Sequence, residues 1–182
     1  MSTAMTSPTP AQVAAGRRTL LLATGLLMLP FILGGALYVS GWKPASTGNR
    51  GELLQPPPVV KAQLPEAAAG KWVLILVPEA NCDALCASRL DALRRIQVSL
   101  NKDMARLRRV VMAADPGEPG ITQAQAAQPD LLVARRDATW TASPGVYVAD
   151  PDGHLVLRYG LDTEPKDIRS DLDRLLKYSW TG

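Results

Sequence analysis

Cysteine is scarce in this chain. Two of 182 residues are cysteine, Cys82 and Cys86, so a disulfide-rich scaffold is excluded and any thiol chemistry rests on one pair. Histidine is scarcer still. His154 stands alone, which excludes a metal centre built from several imidazoles. Phenylalanine also occurs once, as Phe31, inside an apolar N-terminal run. No block of like charge is present either: 20 Lys and Arg against 17 Asp and Glu leave a net charge of +3. With neither a basic stripe nor an aromatic platform, a nucleic-acid partner is excluded. Arg89, Arg94, Arg95, Arg106, Arg108 and Arg109 tint the middle of the chain basic, and the expectation is a solvated face.

What is abundant is apolar sequence at the start. Thr19 to Trp42 contains no charged residue and, as a helix, would extend roughly 36 Å, enough for a bilayer core. Tyr38 and Trp42 suit an interfacial aromatic belt, and Arg17 and Arg18 flank the other end. The excess of positive charge on that side predicts a cytoplasmic tail over 1–18, a membrane span over 19–42 and an extracytoplasmic remainder. The rival is a cleaved signal peptide using Gly34-Gly35-Ala36, but the apolar run continues past that point. Either reading exports the rest of the chain across the inner (plasma) membrane, into a compartment that permits disulfides. Residues 43–69 hold Pro44, Pro56, Pro57, Pro58 and Pro65 with few large apolar side chains, and predict an extended tether. A single domain over 70–182 should follow.

Within that domain the pattern alternates. Trp72–Val77 is an unbroken apolar run, as for a strand covered on both faces. A helix is expected from about Asp83 to Asn101, with Leu90, Leu93, Ile96 and Leu100 on its apolar side. A second strand follows at Leu107 to Met112, then a short helix at Thr122 to Gln128. Gly145 to Ala149 and His154 to Tyr159 read as a hairpin turning at Asp150-Pro151-Asp152-Gly153. A last helix runs from Glu164 to about Tyr178, with Thr163 as its cap. Strand, helix, strand, crossover, hairpin, helix is a thioredoxin-like order: an α/β domain with a mixed central sheet and flanking helices.

The cysteines follow the first strand and open the first helix of that domain. A thiolate at a helix N-terminus is favoured by the macrodipole, whereas Glu79 and Asp83 oppose it by repulsion. Three uses stay open: a site for a soft metal ion such as Cu(I), a reversible redox pair, and a structural staple. The staple would close a very small loop and contribute least.

Several features together resemble the Sco family of membrane-anchored copper chaperones. They are Gly70-Lys71 before the strand, the C-x-x-x-C pair, Leu90 and Leu93, and Asp115-Pro116. Tyr147 with the 150–153 turn, and Ile168, Asp171, Leu172, Leu175 and Leu176 near the end, complete the set. The resemblance implies a thioredoxin-like domain in which Cys82 and Cys86 bind copper or reduce thiols during cytochrome c oxidase maturation. The partners it implies are the membrane and an oxidase subunit or its assembly factors. It makes a metallochaperone the expectation ahead of an enzyme, with a thiol-disulfide oxidoreductase or a non-catalytic interaction module as alternatives.

The sequence departs from that family in two places. Asp83 and Ala87 follow the cysteines where the family has proline, and no histidine stands near Ala142 or Ser143. His154 lies past the hairpin turn, ~26 Å of strand away from Ala142 at ~3.3 Å per residue, and reads as a hairpin residue instead of a ligand. Met104 and Met112 carry thioether sulfur, for which core packing is the commoner use. Pro144 stands where disulfide-exchanging thioredoxins hold a cis-proline, so a cis Ser143–Pro144 bond shaping the site is expected.

Overall fold

The structure is a computed structural model that describes residues 10–41, 48–136, 140 and 142–179. The chain divides into two units, Met1–Thr47 and Gly48–Gly182.

The first unit is a helix, α1 (Pro10–Val39), containing Pro30. Its stretch Gly16–Val39 is long and apolar enough to cross a membrane, and none of that stretch is buried within the protein. Leu, Ile and Phe side chains project all round it, as for a helix meant for a lipid solvent. Trp42, expected in the aromatic belt, lies outside the described residues.

The second unit is a six-stranded sheet with helices on one face. Its strands are β1 (Glu52–Leu53), β2 (Trp72–Val77), β3 (Leu107–Ala113), β4 (Leu131–Arg135), β5 (Gly145–Ala149) and β6 (Leu155–Tyr159). They are ordered β1-β6-β5-β2-β3-β4. The apolar run forms the central strand with all six residues buried, paired parallel to β3 and antiparallel to β5. Its side chains alternate between two cores. Leu74 and Leu76 meet the helices α2 (Ala84–Ser99), α3 (Pro119–Ala127) and α4 (Pro165–Tyr178). Successive parallel crossovers β2-α2-β3 and β3-α3-β4 place both intervening helices on that face. The hairpin appears where its turn residues require, with Gly153 at φ 87°. A Cβ there would press on the Lys61 backbone at 2.8 Å, so glycine is needed twice over.

Four expectations change. The Pro-rich stretch is not a free tether beyond Gly48, because among the described residues no α-helix covers the sheet's other face and this stretch, with two short 3-10 turns, packs there instead. Leu54, Val60, Leu64 and Ala68 supply the cover, packed against Val73, Ile75, Val110 and Tyr147. Backbone bonds zip the stretch down: β1 pairs with β6, Leu54 N–H donates to Val156 O, Val60 N–H to Gly153 O, and Leu155 N–H to Pro58 O. The compact unit that holds the sheet begins at Gly48.

Second, the crossover contains the extra strand β4, parallel to β3, and α3 starts at Pro119 instead of Thr122. Third, Arg109 is not on a solvated face. It is 1% exposed, and its Nε donates to Gln97 Oε1 at 2.6 Å, one Nη to Gln128 Oε1 and the other to Asp130 Oδ2 at 2.8 Å. A charge taken that far from water persists because every guanidinium nitrogen has a partner. Fourth, Glu164 and not Thr163 precedes α4, and no side chain caps that helix; Pro165 at its first position supplies the pre-set φ.

Candidate functional site

The cysteine pair sits where β2 ends and α2 begins. Cys82 is the residue before the N-cap and Cys86 lies in the first turn, with Cα atoms 5.1 Å apart and the sulfurs joined as a disulfide. Asp83 is the N-cap. Its carboxylate accepts the Leu85 and Cys86 N–H groups, both at 3.0 Å, satisfying two donors the helix leaves orphaned. The acid expected to oppose thiolate formation is thus turned to the helix backbone.

The loop is held from the other side by the start of α3. Glu118 accepts the Cys82 N–H, and Gly120 passes so close that a Cβ there would lie 1.8 Å from the Cys82 carbonyl oxygen. Neither residue is singled out by the sequence. The available signal is an acid directly before Pro119-Gly120 at a helix start.

Cys82 is 8% exposed and Cys86 3%. Cys82 opens on a cleft of 730 Å³ between α2 and α3, walled by Asp83, Ala87, Asp91, Gly120, Gln123 and Ala124. Leu85, between the two cysteines, is 55% exposed. It borders an apolar groove of 300 Å³ on the opposite side of α2, with Leu93, Val146, Leu161 and Ile168. The disulfide therefore lies between two concave surfaces, and of the two cysteines Cys82 is the more exposed and lines the larger cleft.

Pro144 is beside this site, because the next residue, Gly145, pairs with Val77 at the end of β2. The expected cis bond is not there. Among the described residues the cis peptide is Gln55–Pro56, and Ser143–Pro144 is trans. Trans is the lower-energy isomer of an X–Pro bond, and the Ser143 carbonyl is anchored in this arrangement by the Tyr147 hydroxyl, which donates to it at 2.5 Å.

Other sulfur and nitrogen donors are elsewhere. His154 follows the turn at the far end of β5, where its backbone N–H donates to Asp150 Oδ1 at 2.8 Å and its ring Nδ1 lies 3.3 Å from Asp150 Oδ2. Met112 is fully buried on the sheet face away from the cysteines, and Met104 lies in the turn that leads into β3. Among the described residues no group of three or more His, Cys, Asp or Glu could hold a metal ion. The donor set at the pair is two sulfurs, which once reduced suit a soft ion in linear coordination.

A mixed sheet whose central strand runs into a cysteine pair at a helix N-terminus defines a thioredoxin-like domain. The family model described as "Transmembrane-like, thioredoxin-like, C-terminal domain" matches residues 72–179, and the chain belongs to that family. Solved structures share the fold. Sco1 of Thermus thermophilus in its apo form is 20% identical over 72% of this chain and 99% of its own, with a TM-score of 0.54. Yeast Sco1 is 19% identical over 61% of this chain and 83% of its own, with a TM-score of 0.51. No curated protein matches the chain.

Proposed function

We propose that this chain is a membrane-anchored, extracytoplasmic thiol-disulfide module of Sco-like type, working on the cysteines of a client during respiratory oxidase assembly. α1 is its retained anchor, with the Arg17-Arg18 end in the cytoplasm. The observation that carries the reading is the Cys82–Cys86 disulfide at the N-terminus of α2, backed by Glu118 and open to a cleft through Cys82.

In the reduced pair the Cys82 thiolate attacks one sulfur of a client disulfide and the other client sulfur leaves as a thiolate. Cys86 then attacks Cys82 in the mixed disulfide, which releases the second client thiol and restores the Cys82–Cys86 bond. Two electrons pass to the client, and a dithiol donor of the same compartment must reduce the pair again. Glu118 holds Cys82 through its N–H, and Asp83 holds the resolving Cys86 in the same way.

Incubating the reduced full-length protein with a disulfide-bonded peptide and trapping free thiols tests this. Peptide thiols should appear with one equivalent of Cys82–Cys86 disulfide, and Cys82→Ser should abolish both. A Cys82→Ser protein that still supported oxidase maturation would instead mark a non-catalytic interaction module.

A second reading, delivery of Cu(I), is favoured by the two soft donors at one point of the surface. Copper here is cargo carried by the two thiolates alone. Anaerobic Cu(I) titration of the reduced protein against a competing chelator separates the readings: one-to-one binding lost in Cys82→Ser supports delivery, and none removes it.

A further inference from the structure

The two edges of the sheet are built differently. β1 is two residues long and is soon followed by Pro56, Pro57 and Pro58, which offer no N–H to a further strand. β4, at the other edge, pairs with β3 along its whole length and contains no proline, no glycine and no charge before its last residue. The Arg136 N–H donates to Ala113 O at 2.7 Å, so by the alternation of the ladder Leu132 and Ala134 also turn their backbone groups to β3. Those of Leu131, Val133 and Arg135 point outward. The Leu131 N–H is taken up by Gln128 O, whereas the Val133 and Arg135 groups have no partner among the described residues. Leu132 and Val133 are half-buried, one on each face of the sheet, and a further strand would complete their cover. The helix that leads into β4 is also unlike the others. α3 carries no charge, though Thr122, Gln125 and Ala126 are exposed, whereas α2 and α4 have charged outer faces. Depletion of charge marks a surface that a protein partner covers.

We infer that two copies of this chain join here, β4 against β4, antiparallel about a two-fold axis at Val133. Asp130 stands just before the strand with its side chain 63% exposed and Oδ2 held by Arg109, while Arg135 and Arg136 close the strand. Antiparallel pairing sets Asp130 of each copy beside Arg135 and Arg136 of the other, so the strand is complementary to its own reverse. A parallel pair would bring like charge to like. Val133 N–H and O exchange bonds with their counterparts, and the Arg135 N–H of each copy donates to Leu131 O of the other. The inference stands independently of the exchange reading.

The test uses full-length protein in detergent, kept oxidised so that Cys82 and Cys86 stay paired. Light scattering at rising concentration should show a dimer. Val133→Pro removes one outward N–H and no bond to β3, at the kind of edge position where proline is tolerated. Arg135→Glu together with Arg136→Glu leaves the backbone alone and sets acid beside acid. Each variant should weaken the dimer at least ~10-fold without unfolding the domain.

The register is tested by cross-linking. Val133→Cys puts two thiols across the axis with Cα atoms ~5.5 Å apart, within reach of a disulfide, and mild oxidation should give a covalent dimer on a non-reducing gel. Arg135→Cys puts its two thiols ~14 Å apart and should give none. A protein that stays monomeric up to ~100 µM overturns the inference, and the edge then serves a different chain or none. A dimer that neither variant weakens overturns it too, because the contact is then elsewhere. So does Arg135→Cys cross-linking as readily as Val133→Cys.

Discussion

Gly120→Ala has a sign that helix propensity alone gets wrong. In a solvent-exposed helix the change would stabilise by up to ~1 kcal/mol. Here the new Cβ meets the Cys82 carbonyl oxygen at 1.8 Å and its carbon at 2.9 Å, both backbone atoms with no rotamer to change. Ordinary contact needs about 3.2 Å between carbon and oxygen, so the start of α3 must retreat by roughly 1.4 Å. Overpacking of that kind costs about 1–3 kcal/mol. The retreat also pulls Glu118 from the Cys82 N–H, a charge-assisted bond whose loss costs about 1.5–3 kcal/mol. Set against the propensity gain, the net loss is about 3 kcal/mol. For a domain of this size that lowers Tm by about 12 °C. Thermal unfolding of the full-length protein in detergent, followed through buried Trp72, reads it directly. Gly117→Ala is the control, since its Cβ would meet only Asp115 Oδ1 at an ordinary 3.5 Å. A Gly120→Ala protein as stable as the parent would refute the close approach of α3 to the cysteine loop.

Reducing the Cys82–Cys86 bond should leave the fold intact and lower unfolding free energy by about 2 kcal/mol, the loop entropy of so short a closure, measured by urea melts with and without a phosphine. Asp171→Ala removes the acceptor shared by Arg50, Gly51 and Tyr159; it should cost about 2–4 kcal/mol and expose the chain between Gly48 and Leu54 to limited proteolysis. Burial, together with the Asp171 charge, holds the Tyr159 hydroxyl well above its ordinary value of 10.0. Its stabilising contribution is therefore complete below pH 10 and lost as pH rises further, so alkaline unfolding should begin before this tyrosine ionises in absorbance titration. Asp130 behaves oppositely: burial works against its charge, but the Arg109 hydrogen bond and charge prevail and hold its carboxyl below 3.8. Stability from that pair is present above pH 3.8 and lost as pH falls below it, and Asp130→Asn should flatten an acid-unfolding curve there.

The central strand, the hairpin and the cysteine pair could be read directly because each is local: an apolar run, a turn sequence, two residues at one helix start. The thioredoxin-like order followed from these. What escaped was long-range. β4 is five residues beginning just after Pro129-Asp130 and ending in Arg135, too short for its alternation to show. Arg109 reads as surface by residue type, and its partners come from two other segments, Gln97 from α2 and Gln128 with Asp130 from the connection between α3 and β4. The prolines at 56–58 and 65 argue against an α-helix there, but a chain laid against a sheet and one free in solvent look alike in one dimension. The apolar plugs Leu54, Val60 and Leu64 are the only local difference. At the site, both cysteines were legible and their supports were not, since Glu118 lies 36 residues from the backbone group it holds. Pro144 precedes the strand residue that pairs with the end of β2, but its bond is trans and not the expected cis, because position in a fold does not fix a peptide bond.

The pairing of Glu52 with Arg158 and Leu53 with Leu157 also sets a timetable for folding. β1 must wait for β6, since Glu52 and its partner Arg158 are 106 positions apart in the chain. Until then one edge and one whole face of the sheet stand open, with Val73, Ile75 and Val110 uncovered. Cys82 and Cys86, four positions apart, can close their bond long before that. Closure of the pair does not depend on completion of the core, and under oxidising conditions a nascent chain halted before Leu155 would carry a finished disulfide on an unfinished domain.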